Sequence, residues 1–585
     1  MIKIILNRLS QKIKKKAFTL LACFFLFLPF YASAQDVSPG EQPAAQGSRF
    51  KSESEQNKKS SEKKKAKVPV IELEKEKETP VPGQGVSFVL KNVRITGSTI
   101  FSPDELSFAY KNYIGRQVVF NDIERIASVV KSRYKKKGYL TSDVYIPEQD
   151  VARGEVEIRV SEGKTGEIKL EGNKWFSRPL LEKYIHSKRN ELLNIFTLQK
   201  DLLRLNQNPD LELAAVLSAG EEPATTDIIL KVRDNFPYHA GYSYDNQGTR
   251  LVGKSRNSLV FRGTNFSGHN DFLIVNTLKS ETSLGEFFSY TLPLGTNGAR
   301  LGFDFTNFYL RLGSEYKDAD ITGTTQIFTP HVSSELFLSP DFQAYADLGV
   351  DIKSIKKKSG GDTVTNDQIR SFYGALDFAK IDSFLGGGQT IYSPRFSFFT
   401  KDWLGASSRD HPSASRSGAG GFFFKYEQAL SRIQRAPGDS FISVRSQFLA
   451  ASRTLPSSEQ LQLGGAHSVR GYPEGEYLAD IGAFLNVEWV FPGYFFPKGY
   501  KLPRANLPLR DQFQPVIFFD LGEGKLKKTG EGERHTMTLM GAGAGIRFQF
   551  NKNLFLRLDW AKRLGQKPSS GQGPSNFYIT CQLEI

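Results

Sequence analysis

The stretch "LFLRLDW", residues 554–560, decides the fold of the C-terminal part of the chain. Every second residue in it is large and apolar: Leu554, Leu556, Leu558 and Trp560. Arg557 and Asp559 lie between them. Successive side chains of a β-strand point to opposite faces, so this strand has one apolar face and one charged face. Such a strand suits a wall between lipid and a water-filled lumen.

The same alternation recurs throughout residues 236–585, in segments such as "HAGYSYDN", "ARLGFDFTNFYLRL" and "GAFLNVEWVF". Gly, Asn, Asp, Ser and Pro separate these segments, as expected for strands joined by turns. About 350 residues at roughly twenty-two per strand and connection predict about sixteen strands. We therefore predict a transmembrane antiparallel β-barrel, with an array of soluble β-sandwiches as the alternative.

Upstream, two similar modules follow each other. Residues 86–163 show the order strand, helix, helix, strand, strand, and residues 164–235 repeat it. In the first module Ser102, Pro103 and Glu105 form a capping box with proline at the first helical position, which predicts a helix start. Each module has enough residues for a small core of its own. We predict a tandem pair of α+β modules of βααββ order.

The N-terminus has the features of an export signal. Residues 1–34 combine lysines and arginine, an apolar run and a final Ala32-Ser33-Ala34, which predicts a signal peptide cleaved after Ala34. Residues 35–85 are rich in Lys, Glu, Ser and Pro, and we predict a charged disordered linker there. The leader and linker hold much of the formal net charge of +15, which argues against a nucleic-acid surface. Only Cys581 remains after cleavage, so no intramolecular disulfide can form.

The assembled pieces resemble the two-partner secretion transporters (TpsB) of the haemolysin secretion/activation type. These belong to the superfamily of outer-membrane barrels with POTRA modules. The residues that carry the resemblance are "FVLKNVRITGSTIF" in the first module, "LNQNPDLELAAVLSAG" in the second and "VRGY", residues 469–472, in the barrel. The resemblance implies an outer-membrane translocator with periplasmic POTRA modules. It implies as partners an exoprotein with an N-terminal secretion domain, outer-membrane lipid and the barrel assembly machinery.

The resemblance also assigns site residues. In the family, the VRGY hairpin folds inward and its arginine meets an aspartate on a nearby strand, so Val469, Arg470, Gly471 and Tyr472 form the functional loop motif. The matching aspartate is Asp520 in "PVIFFDLGEG". Alternation places Asp520 on the same face as Phe518. We expect the POTRA modules to capture substrate by β-augmentation at an exposed strand edge, or along a helix–strand groove. The candidate capture residues are Tyr145, Pro147, Glu148 and Gln149.

Two features depart from the family pattern. The family often carries a helix that plugs the barrel, yet residues 35–85 show no clear amphipathic helix. Outer-membrane barrels usually end in an aromatic residue, whereas this chain ends in Ile585. We therefore expect weaker recognition by the assembly machinery.

Catalytic motifs are missing from the sequence. It contains no HExxH, GxSxG or GxxxxGK motif and no Cys/His spacing typical of metal sites. We predict a non-enzyme without cofactor or metal. The main functional alternative to secretion is an assembly factor that inserts other barrels. A plain diffusion porin would not explain the tandem modules.

Overall fold

The structure is a computed structural model that describes residues 39–62, 69–73, 87–409, 411–530, 533–551, 553–568 and 573–585. The predicted signal peptide, residues 1–34, lies outside these residues. Among the described residues, no helix has both the length and the apolar content that a membrane span requires.

The described part of residues 35–85 is ordered, so the prediction of a disordered linker is wrong there. Helix α1, Pro43–Glu62, follows a short 3-10 helix at Pro39–Glu41, and strand β1 spans Ile71–Leu73. At 1.5 Å per residue, a helix of 20 residues is about 30 Å long, enough to run through a barrel lumen. The helix has no apolar stripe because it packs against charged side chains of the barrel wall, and its residues therefore show no amphipathic pattern.

The first module pairs a small sheet with two helices. Its strands are β2 Phe88–Val89, β3 Asn92–Thr96, β4 Gln117–Val118, β5 Asp143–Tyr145 and β6 Glu155–Ser161, and its helices are α2 Pro103–Leu106 and α3 Phe120–Lys136. A 3-10 turn at Ser107–Ala109 follows α2. The sheet order is β3-β6-β5, with β3 and β6 parallel. The predicted capping box is confirmed, because Ser102 and Glu105 bond to each other's backbone N–H.

The second module has strands β7 Lys164–Glu171, β8 Leu211–Ala219 and β9 Thr225–Asp234, and helices α4 Arg178–Lys183 and α5 Ile195–Leu205. Its core holds the apolar faces of α5, β8 and β9. The sheet order is β1-β8-β9-β7, so the linker strand β1 extends this sheet. Strand β1 pairs in parallel with β8, with Ile71 opposite Ala215.

Sixteen antiparallel strands form a closed barrel, as predicted. They are β10 Tyr238–Asp245, β11 Arg256–Gly263, β12 Phe272–Lys279, β13 Ser283–Pro293, β14 Arg300–Arg311, β15 Thr322–Leu338, β16 Phe342–Ser359, β17 Asp362–Asp382, β18 Gly388–Phe399, β19 Phe423–Arg435, β20 Phe441–Ala451, β23 Ile481–Val490, β24 Phe513–Lys525, β25 Thr536–Phe550, β26 Leu554–Arg563 and β27 Ser575–Glu584. Two short strands, β21 Leu461–Leu463 and β22 Tyr477–Ala479, form a separate hairpin, and helix α6 spans Leu509–Gln512.

Strands β10 and β27 close the barrel. Ile585, just beyond β27, exchanges two backbone hydrogen bonds with Ala240, at 2.8 and 3.2 Å. The predicted alternation of residues 554–560 between an outer apolar face and an inner charged face is confirmed. Leu558 and Trp560 are exposed on the outer surface, while Asp559 is buried. The chain enters β10 directly from the second module, so the modules lie at one end of the barrel, here called the near end. The opposite end is the far end.

Polar contacts join the second module to the near end of the barrel. Arg204 on α5 donates two hydrogen bonds to the carboxylate of Glu335 on β15, each 3.0 Å long. Asn208 donates to the backbone oxygen of Thr264 in the turn between β11 and β12, at 2.6 Å. The Glu335 side chain is 2% exposed, so this ion pair is buried in the junction. The module is therefore held at a defined position below the barrel.

Candidate functional site

The connection between β20 and β23, residues 452–480, starts at the far end and folds into the lumen. Its strands β21 and β22 pair with each other and hold the "VRGY" tip between them. Gly471 has a φ of 94°, a conformation that residues with a Cβ rarely adopt. A Cβ on Gly471 would also press against the backbone of Arg563 on β26. The tip therefore meets the barrel wall at a position that favours glycine.

Arg470 and Asp520, paired by resemblance, lie together in the structure. The Nε and Nη2 atoms of Arg470 lie 2.7 and 2.8 Å from the two carboxylate oxygens of Asp520. The backbone N–H of Arg470 donates to the same carboxylate at 3.1 Å. The guanidinium carbon lies 3.4 Å from the ring centroid of Phe518. This geometry combines a bidentate ion pair with stacking, and a lysine could provide neither.

Two further carboxylates, missed by sequence reasoning, complete the surroundings of Arg470. Its Nη1 atom lies 2.5 Å from Glu488 on β23 and 3.2 Å from Asp559 on β26. Arg547 and Arg557 also contact Asp559, at 2.5 and 2.7 Å. With Asp520, these ion pairs join three arginines and three carboxylates. The sequence could have indicated Asp559 as a candidate, because alternation places Arg557 and Asp559 on the lumen face of β26.

The other residues of the motif fix the loop by packing. Val469 is fully buried and Tyr472 is 1% exposed, within an apolar cluster that includes Leu463 and Leu539. The hydroxyl of Tyr578 on β27 accepts a hydrogen bond from the backbone N–H of Gly471 at 3.0 Å. The same hydroxyl donates to the backbone oxygen of Tyr472 at 3.2 Å. The loop is thus fixed to the wall by both ionic and apolar contacts.

Helix α1 shares the lumen with this loop. The backbone N–H of Gly40 donates to the backbone oxygen of Gly475 at 2.8 Å, and a Cβ on either glycine would collide with the other residue. Arg49 forms an ion pair with Glu474 at 3.1 Å. The N-terminal part of α1 therefore rests against the loop.

The contacts of α1 with the barrel wall are mainly ionic. Ion pairs join Lys51 to Asp351 at 3.0 Å, Lys58 to Asp304 at 2.7 Å and Glu53 to Arg256 at 3.0 Å. One aromatic contact adds to them, with the rings of Phe50 and Phe308 centred 5.6 Å apart. Pro43 lies against Gly323 at the far end of β15. The helix therefore runs from the far end, at its N-terminus, towards the near end.

The candidate capture residues lie in the first module, separate from the lumen cluster. Tyr145 ends the edge strand β5 and is 46% exposed. Pro147 is half-buried and Glu148 is exposed. The side-chain amide of Gln149 bonds both backbone groups of Glu157 on β6, at 2.6 and 2.7 Å. The side chain of Gln149 therefore continues the sheet edge by bonding the backbone of β6.

The described residues contain no group of three or more His, Cys, Asp or Glu side chains suited to hold a metal ion. The thiol of Cys581 is free and half-buried in β27. The charged cluster around Arg470 is satisfied internally by its own ion pairs. Its geometry suits the anchoring of a loop.

Two family descriptions match the chain. "POTRA domain, ShlB-type" matches residues 88–163. "Haemolysin secretion/activation protein ShlB/FhaC/HecB" matches residues 224–548, more than half of the 585 residues. The chain belongs to this family. It is therefore an outer-membrane transporter of the two-partner secretion type, with its POTRA modules in the periplasm. The near end of the barrel is periplasmic and the far end extracellular.

The transporter is similar over most of its length to characterised relatives. It is 24% identical over 479 residues to the heme/hemopexin transporter protein HuxB of Haemophilus influenzae, covering 79% of this chain and 81% of that protein. The solved structure of CdiB from Escherichia coli superposes with a TM-score of 0.73 at 18% identity, covering 94% of this chain and all of that one. CdiB from Acinetobacter baumannii gives a TM-score of 0.68 at 18% identity, covering 95% of this chain and all of that one. These two structures share the fold of this transporter.

Proposed function

We propose that this transporter secretes a large haemolysin-like or adhesin-like exoprotein, unfolded and carrying an N-terminal secretion domain, through the barrel lumen. The observation that carries the proposal is how the lumen is filled. Barrels of sixteen strands are wide enough to hold an aqueous channel. Here α1 and the inward loop occupy that space, and α1 is held to the wall mainly by ion pairs. Displacement of α1 opens a path for an extended chain.

In this mechanism the loop and the helix have different roles. The loop combines the ion cluster of Arg470 with the buried side chains of Val469 and Tyr472, so it is the more firmly attached of the two. The charged groups of α1 can exchange their partners for water as the helix leaves the lumen, which lowers the cost of its release. The loop thus stays against the wall and lines one side of the path.

We assign capture of the substrate to β-augmentation by the POTRA modules. The edge of β8 already carries an added parallel strand, β1, and Val70, just before β1, accepts a backbone hydrogen bond from Ala215 at 3.0 Å. A substrate segment in extended conformation can pair in the same way, because backbone groups supply the affinity. The edge strand β5 offers a second position, with Tyr145 and Glu148 exposed beside it.

The remaining assignments follow from the location. Outer-membrane lipid surrounds the exposed apolar face of the barrel, and the barrel assembly machinery inserts the chain. We assign the protein no catalysis of its own, in keeping with a family of transporters. Folding of the exoprotein outside the cell supplies the direction of transport.

A reversible crosslink between α1 and the wall tests the proposal. The side chains of Ser54 on α1 and Asn276 on β12 lie 3.1 Å apart, so the pair Ser54→Cys and Asn276→Cys suits a short thiol crosslinker. Cys581→Ser removes the only other thiol of the mature chain. We expect the crosslinked form, expressed in a deletion strain, to release no exoprotein into the culture supernatant, and reduction to restore release. The single variant Ser54→Cys is the control. Secretion by the fully crosslinked form would contradict the proposal.

A further inference from the structure

An exposed row of aromatic rings runs from the second POTRA module to the lipid-facing surface of the barrel. It starts at Trp175, which is 50% exposed in the loop between β7 and α4. The ring of Trp175 is centred 4.9 Å from that of Phe236, which is 51% exposed. Phe236 in turn lies 5.3 Å from Tyr238, the first residue of the barrel strand β10.

The row continues on the outer face of the barrel. Tyr238 stacks on Phe261 of β11 at 6.2 Å and lies 6.3 Å from Phe266 in the periplasmic turn that follows. Phe261 is 38% exposed and Leu259, two residues before it on the same face, is 61% exposed. Because the barrel lies in the outer membrane, these two side chains face lipid. The aromatic row is therefore continuous with the membrane-facing surface.

The loop that carries Trp175 is rigidly shaped. The carboxylate of Asp234 accepts hydrogen bonds from the backbone N–H groups of Lys174, Trp175 and Phe176, at 2.7–3.0 Å. Phe176 is buried in the module core, and this turns the neighbouring Trp175 outward. Single exposed apolar residues need no explanation, but a fixed tryptophan at the end of a contiguous row does.

We propose that Trp175 and Phe236 insert into the headgroup region of the periplasmic leaflet and anchor the second POTRA module to the membrane. Tryptophan is enriched at this depth because its ring is apolar and its indole N–H is polar. The exposed Lys174 beside it suits the phosphate groups of phospholipids. Arg204 and Asn208 of the module also bond to the barrel. The module is thus held both by protein contacts and by lipid.

The four tryptophans of the chain allow a direct test with the full-length protein in vesicles. The variant Trp403→Phe, Trp489→Phe, Trp560→Phe keeps only Trp175. The vesicles consist of phosphatidylethanolamine and phosphatidylglycerol, with or without bromine on the acyl chains close to the glycerol. We expect brominated lipid to reduce the Trp175 emission at least about two-fold, as for a residue at the membrane interface.

The matched control places a tryptophan at an equally exposed POTRA position away from this row. Tyr145→Trp, in a chain whose four native tryptophans are phenylalanine, is expected to keep its full emission, since Tyr145 is 46% exposed on the first module. A Trp175 emission that is water-like and unquenched overturns the proposal. An emission that is blue-shifted but unquenched also overturns it, because protein rather than lipid then covers the ring.

A second measurement does not depend on folding of the triple variant. A spin label on Trp175→Cys, with Cys581→Ser, reports whether oxygen or a polar nickel complex reaches the site. We expect higher accessibility to oxygen, which partitions into the membrane. Higher accessibility to the nickel complex, equal to that of a label on Tyr145→Cys, rejects the anchor. Neither measurement depends on secretion, so the proposed function stands or fails separately.

Discussion

Arg470 and Asp520 meet fork to fork, with two nitrogen–oxygen distances of 2.7 and 2.8 Å, across 50 residues of sequence. The arginine comes from a loop and the aspartate from the wall strand β24, so the pair adds an ionic anchor to the apolar contacts that hold the loop against the wall. Both side chains are almost fully buried. Each therefore needs the other to balance its charge.

We expect Arg470→Ala and Asp520→Ala each to lower secretion sharply while the barrel still inserts. Each change leaves a buried charge without its main partner, at a cost on the order of 1–3 kcal/mol. The double variant should be less impaired than the sum of the two, as measured by secretion and by thermal stability. Arg470→Lys should rescue only partly, because an ammonium group cannot form the bidentate pair. Strictly additive effects would show that the pair is not coupled.

Helix α1 gives a second prediction. Lys51→Ala with Lys58→Ala removes two of its ion pairs to the wall, so the helix should leave the lumen more often. Conductance in planar bilayers should therefore be higher than that of the native chain at the same salt concentration. Lys59→Ala is the control, because Lys59 is 59% exposed in its ion pair with Asp377. An unchanged conductance would mean that other contacts hold the helix.

The junction between the second POTRA module and the barrel gives a third prediction. Arg204→Ala removes the buried bidentate pair with Glu335, and the second POTRA module should then move more freely below the barrel. Distances between spin labels on the module and on the wall should become more broadly distributed. Arg178→Ala, which removes a solvent-exposed pair with Glu182, should leave the distribution unchanged. If the label-to-label distances stay equally narrowly distributed in both variants, contacts other than the Arg204–Glu335 pair hold the module at the barrel.

The pH dependence of the first module can be predicted from Glu162. Burial opposes its charged form, but hydrogen bonds from the Thr99 hydroxyl and from the backbone N–H groups of Thr99 and Ile100 outweigh this and lower its pKa. A carboxyl with a lowered folded pKa stabilises the fold above its unfolded pKa. That stabilisation is lost as the pH falls through the folded value.

Glu162→Gln should therefore weaken the amide hydrogen-exchange protection of the first module at pH 7, by about 1–3 kcal/mol in opening free energy. The difference from the native chain should shrink below the ordinary glutamate pKa of about 4.3. Glu155→Gln, at an exposed position of β6, the strand that ends just before Glu162, is the control. A difference that is constant with pH would mean that the charge of Glu162 contributes nothing.

Much of the fold could be predicted because its elements have clear periods. Alternation predicted the barrel, the length of residues 236–585 predicted its number of strands, and the capping box at Ser102 predicted the start of α2. The pairing of Arg470 with Asp520 came from family resemblance, and alternation only placed Asp520 on the right face. Glu488 and Asp559 were missed because every lumen-facing carboxylate has the same pattern, and only the closed barrel shows which of them reach the loop.

The two elements of the linker were missed for different reasons. Helix α1 is stabilised by ion pairs with the wall and not by an apolar stripe, so its own sequence shows no helical period. Strand β1 has only three described residues, too few for alternation to be visible, and it forms because β8 has a free edge. In both cases the partner surface, rather than the segment itself, determines the structure.

The direction of α1 constrains how the protein assembles. Pro43 lies at the extracellular end and Glu62 towards the periplasmic end, while the POTRA modules that follow stay in the periplasm. The chain is delivered from the periplasm, so the start of the helix must travel the full depth of the membrane. Either the growing sheet wraps around the helix before β27 reaches β10, or the helix threads the finished cylinder N-terminus first. Pulse-labelling that compares the time at which α1 becomes protected with the time at which β27 pairs with β10 would distinguish these two orders of assembly.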